Sequence, residues 1–324
     1  MRKALLVGIN NYGSNEMNLK GCISDASAMS TILETNGDGS PNFSVKLEVD
    51  IKTKSRLTEL VEELFSGEMD ISLFYFAGHG CENNLGGYLI TPDIKKKDVG
   101  VSLDDILKLA NESKAKNRII ILDCCHSGIA GTSKLLGANM SLINNGVTIL
   151  TACKNDEVSM EAGGHGIFTN LLIDALQGCA ADITGNITPG SIYSYIDKAL
   201  GPWDQRPVFK TNITQFTSLR KVTPKVPDEI LRKLIEYFPA PDAQYSLDPS
   251  YEDTNAENIE HKLVEPLAKP DNVLKFKQLQ KLHGAGLVVP VNTDHMYFAA
   301  MESKSCRLTA LGYQYWRLVK DKRI

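Results

Sequence analysis

Four continuous apolar runs constrain this chain more than any other feature: KALLVGI (3–9), ISLFYFA (71–77), RIIILDC (118–124) and GVTILTAC (146–153). Unbroken runs of Ile, Leu, Val and Phe, rather than alternation with polar residues, mark strands covered on both faces. Between them lie the helical patterns LKGCISDASAMSTILE (19–34), SRLTELVEELF (55–65) and SLDDILKLA (102–110), the last with Ser102 placed as an N-cap. This alternation predicts an α/β domain with a mostly parallel sheet. Functional groups in such sheets gather where the carboxyl ends of the strands open into loops. FYFAGHG (74–80) and ILDCCHSGIA (121–130) both fall there.

The gross numbers narrow the classes. A chain of 324 residues accommodates one large domain and a smaller one. A formal net charge of −4 gives no chain-wide reason to expect nucleic-acid binding. No apolar run is long enough to span a bilayer, and the run in MRKALLVGINNY is too short for a secretory signal. Seven cysteines without repeated spacing do not read as a disulfide framework, so a reducing cytoplasm is expected. There are no paired C-x-x-C knuckles, and the adjacent Cys124 and Cys125 would point to opposite faces of a strand, so no metal site is expected.

A change of character near residue 220 predicts three parts: a domain over 1–220, a linker and helix over 221–255, and a small module over 256–324. KVTPKVPDE has the prolines and mixed charge of a linker. The module reads as a helix (273–283) ended by Gly284 and Gly286, a strand GLVVP, a turn at Asn292–Asp294, a second strand MYFAAM, and a final helix LTALGYQYWRLVK. That order suggests a winged-helix-like fold. Lys275, Lys277, Lys281, Lys304, Arg307, Arg317, Lys320, Lys322 and Arg323 make it basic. Such a face is either solvated or able to meet nucleic-acid phosphates, and Tyr313, Tyr315 and Trp316 read as core or interface.

The chemistry lies in the two strand-end segments. A cysteine nucleophile must be a thiolate, and a free thiol with a pKa near 8.5 is only about 3% ionised at neutral pH. A histidine within hydrogen-bonding reach supplies the missing base and later protonates the leaving amine. His79 is the candidate base. The amide of Gly80, unencumbered by a side chain, is a candidate oxyanion donor together with that of Cys125.

GHG at 78–80 and D-C-C-H-S-G at 123–128, in this order and on these strands, resemble the caspase-fold cysteine proteases, and metacaspases with their bacterial relatives more than animal caspases. His79 precedes Cys125 by 46 positions, near the roughly 50-residue offset of caspase-type sites. ALLVGINNY, LKGCISDA, LTACKNDEVSMEAGGHGIFTNLLIDALQG and QRPVF extend the likeness over roughly residues 1–215. The resemblance implies a three-layer sandwich, Cys125 as nucleophile and His79 as base. It implies a pocket formed by Asp25, Asp123 and Cys22 that selects Arg or Lys before the scissile bond, and Cys124 as a core thiol. His126 and His165 are read as structural. Ala77 stands where the family usually has serine. Many metacaspases bind calcium through four aspartates. Asp104 and Asp105 match two, whereas Thr132 replaces another, so the set is incomplete. Lys134 lies in a segment where related enzymes are cut by themselves. Small modules fused to bacterial relatives imply recruitment of an adaptor or a toxic effector in defence or cell death. The alternatives are a catalytically silent scaffold and a nucleic-acid-responsive regulator acting through the last module.

Overall fold

The computed structural model describes residues 1–83, 86–95, 98–124, 143–152, 161–162, 165–200, 207–214, 217–256 and 263–324. The chain divides into two compact units, Met1–Thr223 and Pro224–Ile324.

In the first unit six strands make one sheet: β1 (Arg2–Gly8), β2 (Ser44–Val49), β3 (Ile71–Ala77), β4 (Asn117–Asp123), β5 (Val147–Thr151) and β6 (Val208–Asn212). Their spatial order is β6-β5-β4-β3-β1-β2, parallel throughout except for β6, which runs antiparallel to β5. Among the described residues five helices cover the sheet: α1 (Cys22–Glu34), α2 (Lys54–Phe65), α3 (Leu103–Glu112), α4 (Ile167–Asp174) and α5 (Pro189–Ala199). Alternate residues of the central strands serve opposite layers. Tyr75, Ala77, Ile119 and Ile121 pack with α1, α4 and α5, while Phe74, Phe76, Ile120 and Leu122 pack with α2 and α3. Two covered faces explain why these runs carry no polar alternation. The result is a three-layer α/β/α sandwich.

Three local differences from expectation have simple causes. Strand β2 gives no apolar run because it is an edge strand, with Leu47 40% and Val49 46% exposed. Helix α1 begins at Cys22 rather than residue 19, because Leu19 and Lys20 belong to the preceding loop: the Leu19 N–H donates to the Asn10 carbonyl at 2.9 Å and the Lys20 carbonyl accepts from the Asn10 side chain at 3.1 Å. MYFAAM is a helix, not a strand: Met296, Ala299 and Ala300 are buried at i, i+3 and i+4 spacing, and the His295 ring caps the Tyr297 N–H at 3.2 Å.

The second unit contains α6 (Asp228–Arg232), α7 (Leu234–Tyr237), β7 (Gln244–Ser246), α8 (Pro270–Gly284), β8 (Val288–Val291), α9 (Met296–Met301), β9 (Ser305–Leu308) and α10 (Ala310–Lys320). Its antiparallel sheet has the order β7-β9-β8. The stretch expected as linker and helix, 221–255, is therefore mostly part of this unit. It supplies β7 and buries Leu231, Leu234, Phe238 and Leu247, and the Trp316 indole donates to the Phe238 carbonyl at 2.7 Å.

Candidate active site

Strands β3 and β4 run parallel with Ala77 beside Asp123, so the segment 78–80 and the start of the second motif, Asp123 and Cys124, lie at one end of the sheet. The Gly78 N–H reaches the Asp123 carbonyl at 3.4 Å across this end. A Cβ on Gly78 would lie 2.6 Å from the Tyr12 hydroxyl, and only glycine lets that hydroxyl approach.

His79 follows. Its backbone N–H donates to the Tyr12 hydroxyl at 2.8 Å, and the two rings meet at 4.6 Å between centroids with a 56° tilt. Its Nε2 lies 2.7 Å from the Met17 carbonyl oxygen. A carbonyl only accepts, so Nε2 carries a proton, and in the neutral ring the lone pair resides on Nδ1. The ring is thus held in the tautomer that offers one basic nitrogen. Gly80 opens the short strand Gly80–Asn83, paired antiparallel with Gly86–Leu89, and the His79 carbonyl accepts the Ile90 N–H at 2.9 Å.

On the α1 side of the sheet, Asp25 and Asp123 come together around Gly166, and Cys22 opens α1 at the end of β1 beside Gly8. Asp25, in the first turn of α1, is 3% exposed, Asp123, the last residue of β4, is 8%, and Cys22 is also buried. The Gly166 N–H donates to Asp25 Oδ2 at 3.3 Å. A Cβ on Gly166 would lie 3.0 Å from Asp123 Oδ2 and 3.6 Å from Asp25 Oδ2, so the carboxylates flank this glycine. Thr169 donates its hydroxyl to Asp123 Oδ2 at 2.5 Å, and Tyr75 therefore donates to Thr169 at 2.7 Å. Burial, with the charges of Asp123 and Asp25, holds the Tyr75 hydroxyl well above the usual tyrosine pKa, so it stays a donor. Tyr12, Met17, Tyr75, Gly166 and Thr169 escaped the sequence reading. Their only signal was a position on a strand or loop that the fold brings to this end.

Cys124 is 2% exposed and packs in the α2/α3 layer, on the sheet face opposite Asp123. Cys125, His126, Thr132 and Lys134 lie outside the described residues, as does the side chain of His165. Asp104 and Asp105 sit in the first turn of α3, and burial followed by the neighbouring Asp105 charge raises the Asp104 pKa. Among the described residues no group of three His, Cys, Asp or Glu side chains could hold a metal ion, and no helix is long and apolar enough to cross a membrane.

A three-layer sandwich with a tautomer-fixed histidine at the end of its third strand defines the class as caspase-fold. Residues 1–218 match the family model of the caspase domain of the peptidase C14 proteins, and the chain belongs to that family. The fold is similar to caspase-1 from Spodoptera frugiperda, at 14% identity over 68% of this chain and 90% of that one, with a TM-score of 0.50. A Geobacter sulfurreducens protein aligns at 18% identity over 68% of this chain and 97% of that one, with a TM-score of 0.46. No curated protein sequence matches the chain. The first unit is thus a domain of the cysteine-peptidase kind, whose caspase-like members act on proteins.

Proposed function

We propose that the chain is a cysteine endopeptidase that cuts after Arg or Lys. The observation that carries the reading is the His79 ring, with Nε2–H committed to the Met17 carbonyl and Nδ1 left as the base. Cys125, next in the chain after the buried Cys124, supplies the sulfur. His79 takes the thiol proton, and the thiolate adds to the scissile carbonyl. The amides of Gly80 and Cys125 hold the resulting oxyanion. Collapse to a thioester breaks the C–N bond, and His79 returns the proton to the leaving amine. Water, deprotonated by His79, then hydrolyses the thioester.

Asp25 and Asp123, with Cys22, select the basic side chain. Two carboxylates held side by side attract a substrate guanidinium or ammonium and disfavour an acidic or neutral side chain. No metal enters the scheme, and Asp104 and Asp105 act as first-turn helix carboxylates. Among the described residues Cys81, Cys179 and Cys306 form no disulfide, in keeping with work in a reducing cytoplasm. The second unit reads as a winged-helix-like adaptor that recruits a protein partner, by family analogy a toxic effector in bacterial defence or cell death. Recruitment is favoured over nucleic-acid binding because several basic groups are already engaged. Lys277 pairs with Asp253 at 2.9 Å and Lys304 with Glu302 at 2.6 Å, while Lys320 lies over the buried Trp316 at 4.6 Å.

Fluorogenic peptides ending in Arg, Lys or Asp test the reading, with Cys125→Ala and Cys124→Ala compared with the parent. The expected result is cleavage after Arg and Lys, abolished only by Cys125→Ala. Cleavage after Asp would discard the acidic pocket, and silence on every peptide together with no labelling of Cys125 by thiol-reactive peptides would favour the scaffold.

A further inference from the structure

We infer that the loop between β1 and α1 is a clamp that fixes the base, with Tyr12 as a positioning residue for His79. The inference rests on reading His79 as the base. One loop grips this residue at three points. The Tyr12 hydroxyl accepts its backbone N–H, the Tyr12 ring lies against the imidazole, and the Met17 carbonyl accepts Nε2–H. Tyr12 is 4% exposed, and among the described residues its hydroxyl bonds to His79 alone. Burial keeps the hydroxyl protonated far above the usual tyrosine range, so Tyr12 acts by position and not by titration.

The loop is held in shape by its own bonds. The Tyr12 N–H donates to Asn18 Oδ1 at 2.8 Å, and the N–H groups of Met17 and Asn18 donate to the Ser14 carbonyl at 3.1 and 3.0 Å. Its start is tied down from outside: Asp50 Oδ1 accepts the N–H groups of Asn10 and Asn11, each at 2.9 Å. Asp50 takes a left-handed φ of 49°, and its own N–H donates to the Gly8 carbonyl at 2.9 Å. Asn18 therefore sets the distance between Tyr12 and Met17, the two residues that meet His79. The bare Cα of Gly78 completes the device by admitting the Tyr12 hydroxyl. A base displaced by about 1 Å from its nucleophile loses rate without losing substrate affinity.

The full-length protein with Tyr12→Phe, and separately with the exposed Asn18→Ala, tests this. Two readouts are taken: kcat and KM on an Arg-ending peptide, and 15N NMR of the histidine rings, with His79 assigned by His79→Gln. Tyr12→Phe is expected to lower kcat about tenfold with KM unchanged within about twofold. It is also expected to replace the Nε2–H signature of His79 with an averaged one. Asn18→Ala gives the same pattern in weaker form, and decides the matter if Tyr12→Phe does not fold. A His79 signature that stays as in the parent, or a change confined to KM, overturns the clamp. If the parent cleaves no peptide, the protease reading fails while the NMR comparison still decides the clamp.

Discussion

At the scale of the residue, the hydroxyl of Thr169 joins two buried groups, accepting from Tyr75 and donating to Asp123. Thr169→Val keeps the shape and removes the hydroxyl's hydrogen bond from both partners. A loss of about 1–3 kcal/mol is expected in chemical denaturation, whereas Tyr75→Phe, which removes only the outer donor, costs about 1 kcal/mol. Asp70 carries a different prediction. Hydrogen bonds from Lys116 and the amino terminus, with their charges, hold its pKa down to about 2. A depressed carboxylate contributes stability above its unfolded pKa near 4, and that stability is lost as pH falls through 4 towards 2. Asp70→Asn should therefore show a flatter acid limb than the parent in thermal melts between pH 5 and about 2. The position is exposed, so the effect is small and fades with salt.

Elements meet through backbone as well as side chains. A Cβ at Gly8 would lie 2.4 Å from the Cys22 carbonyl and 2.9 Å from the Ile23 Cα, where the end of β1 meets the start of α1. Gly8→Ala must push α1 away, at a cost of about 1–3 kcal/mol read by denaturant titration. Asp25 sits in the first turn of α1, so under the proposed Arg/Lys specificity the variant should also weaken the preference for basic over neutral peptides. The elements that the sequence made legible were those whose burial is uniform. Strand β3 is buried at every position and reads directly from ISLFYFA. SVKLEV, which forms β2, gives no strand signal, and MYFAAM, which forms α9, reads as a strand. An edge strand half in water has no apolar run, and six residues with buried Met296, Ala299 and Ala300 are too short for helical periodicity to outvote β-compatible composition.

At the scale of the whole molecule, the second unit closes a core of its own. Leu231, Phe238, Phe276, Leu279 and Val288 of Pro224–Ile324 are buried, and among the described residues β7, β8 and β9 pair with one another in one sheet. Residues 224–324 made alone are expected to give a cooperative thermal transition and a near-ultraviolet signal from Trp316, whose indole donates to Phe238. The same fragment begun at residue 256 lacks β7 and Phe238 and should give neither.

The sequence by itself determined the mostly parallel, doubly covered sheet and the placing of GHG and of Asp123 and Cys124 at its carboxyl end. Burial writes itself into local composition, and strand direction then decides which end carries the loops. The family resemblance nominated His79, Asp25 and Asp123. Only the tertiary structure put Met17 and Tyr12 on His79, Gly166 between the two aspartates, and Thr169 between Tyr75 and Asp123. Those partnerships join residues far apart in the chain through strand register and the path of loops, and neither leaves a period in the sequence for a local reading to find.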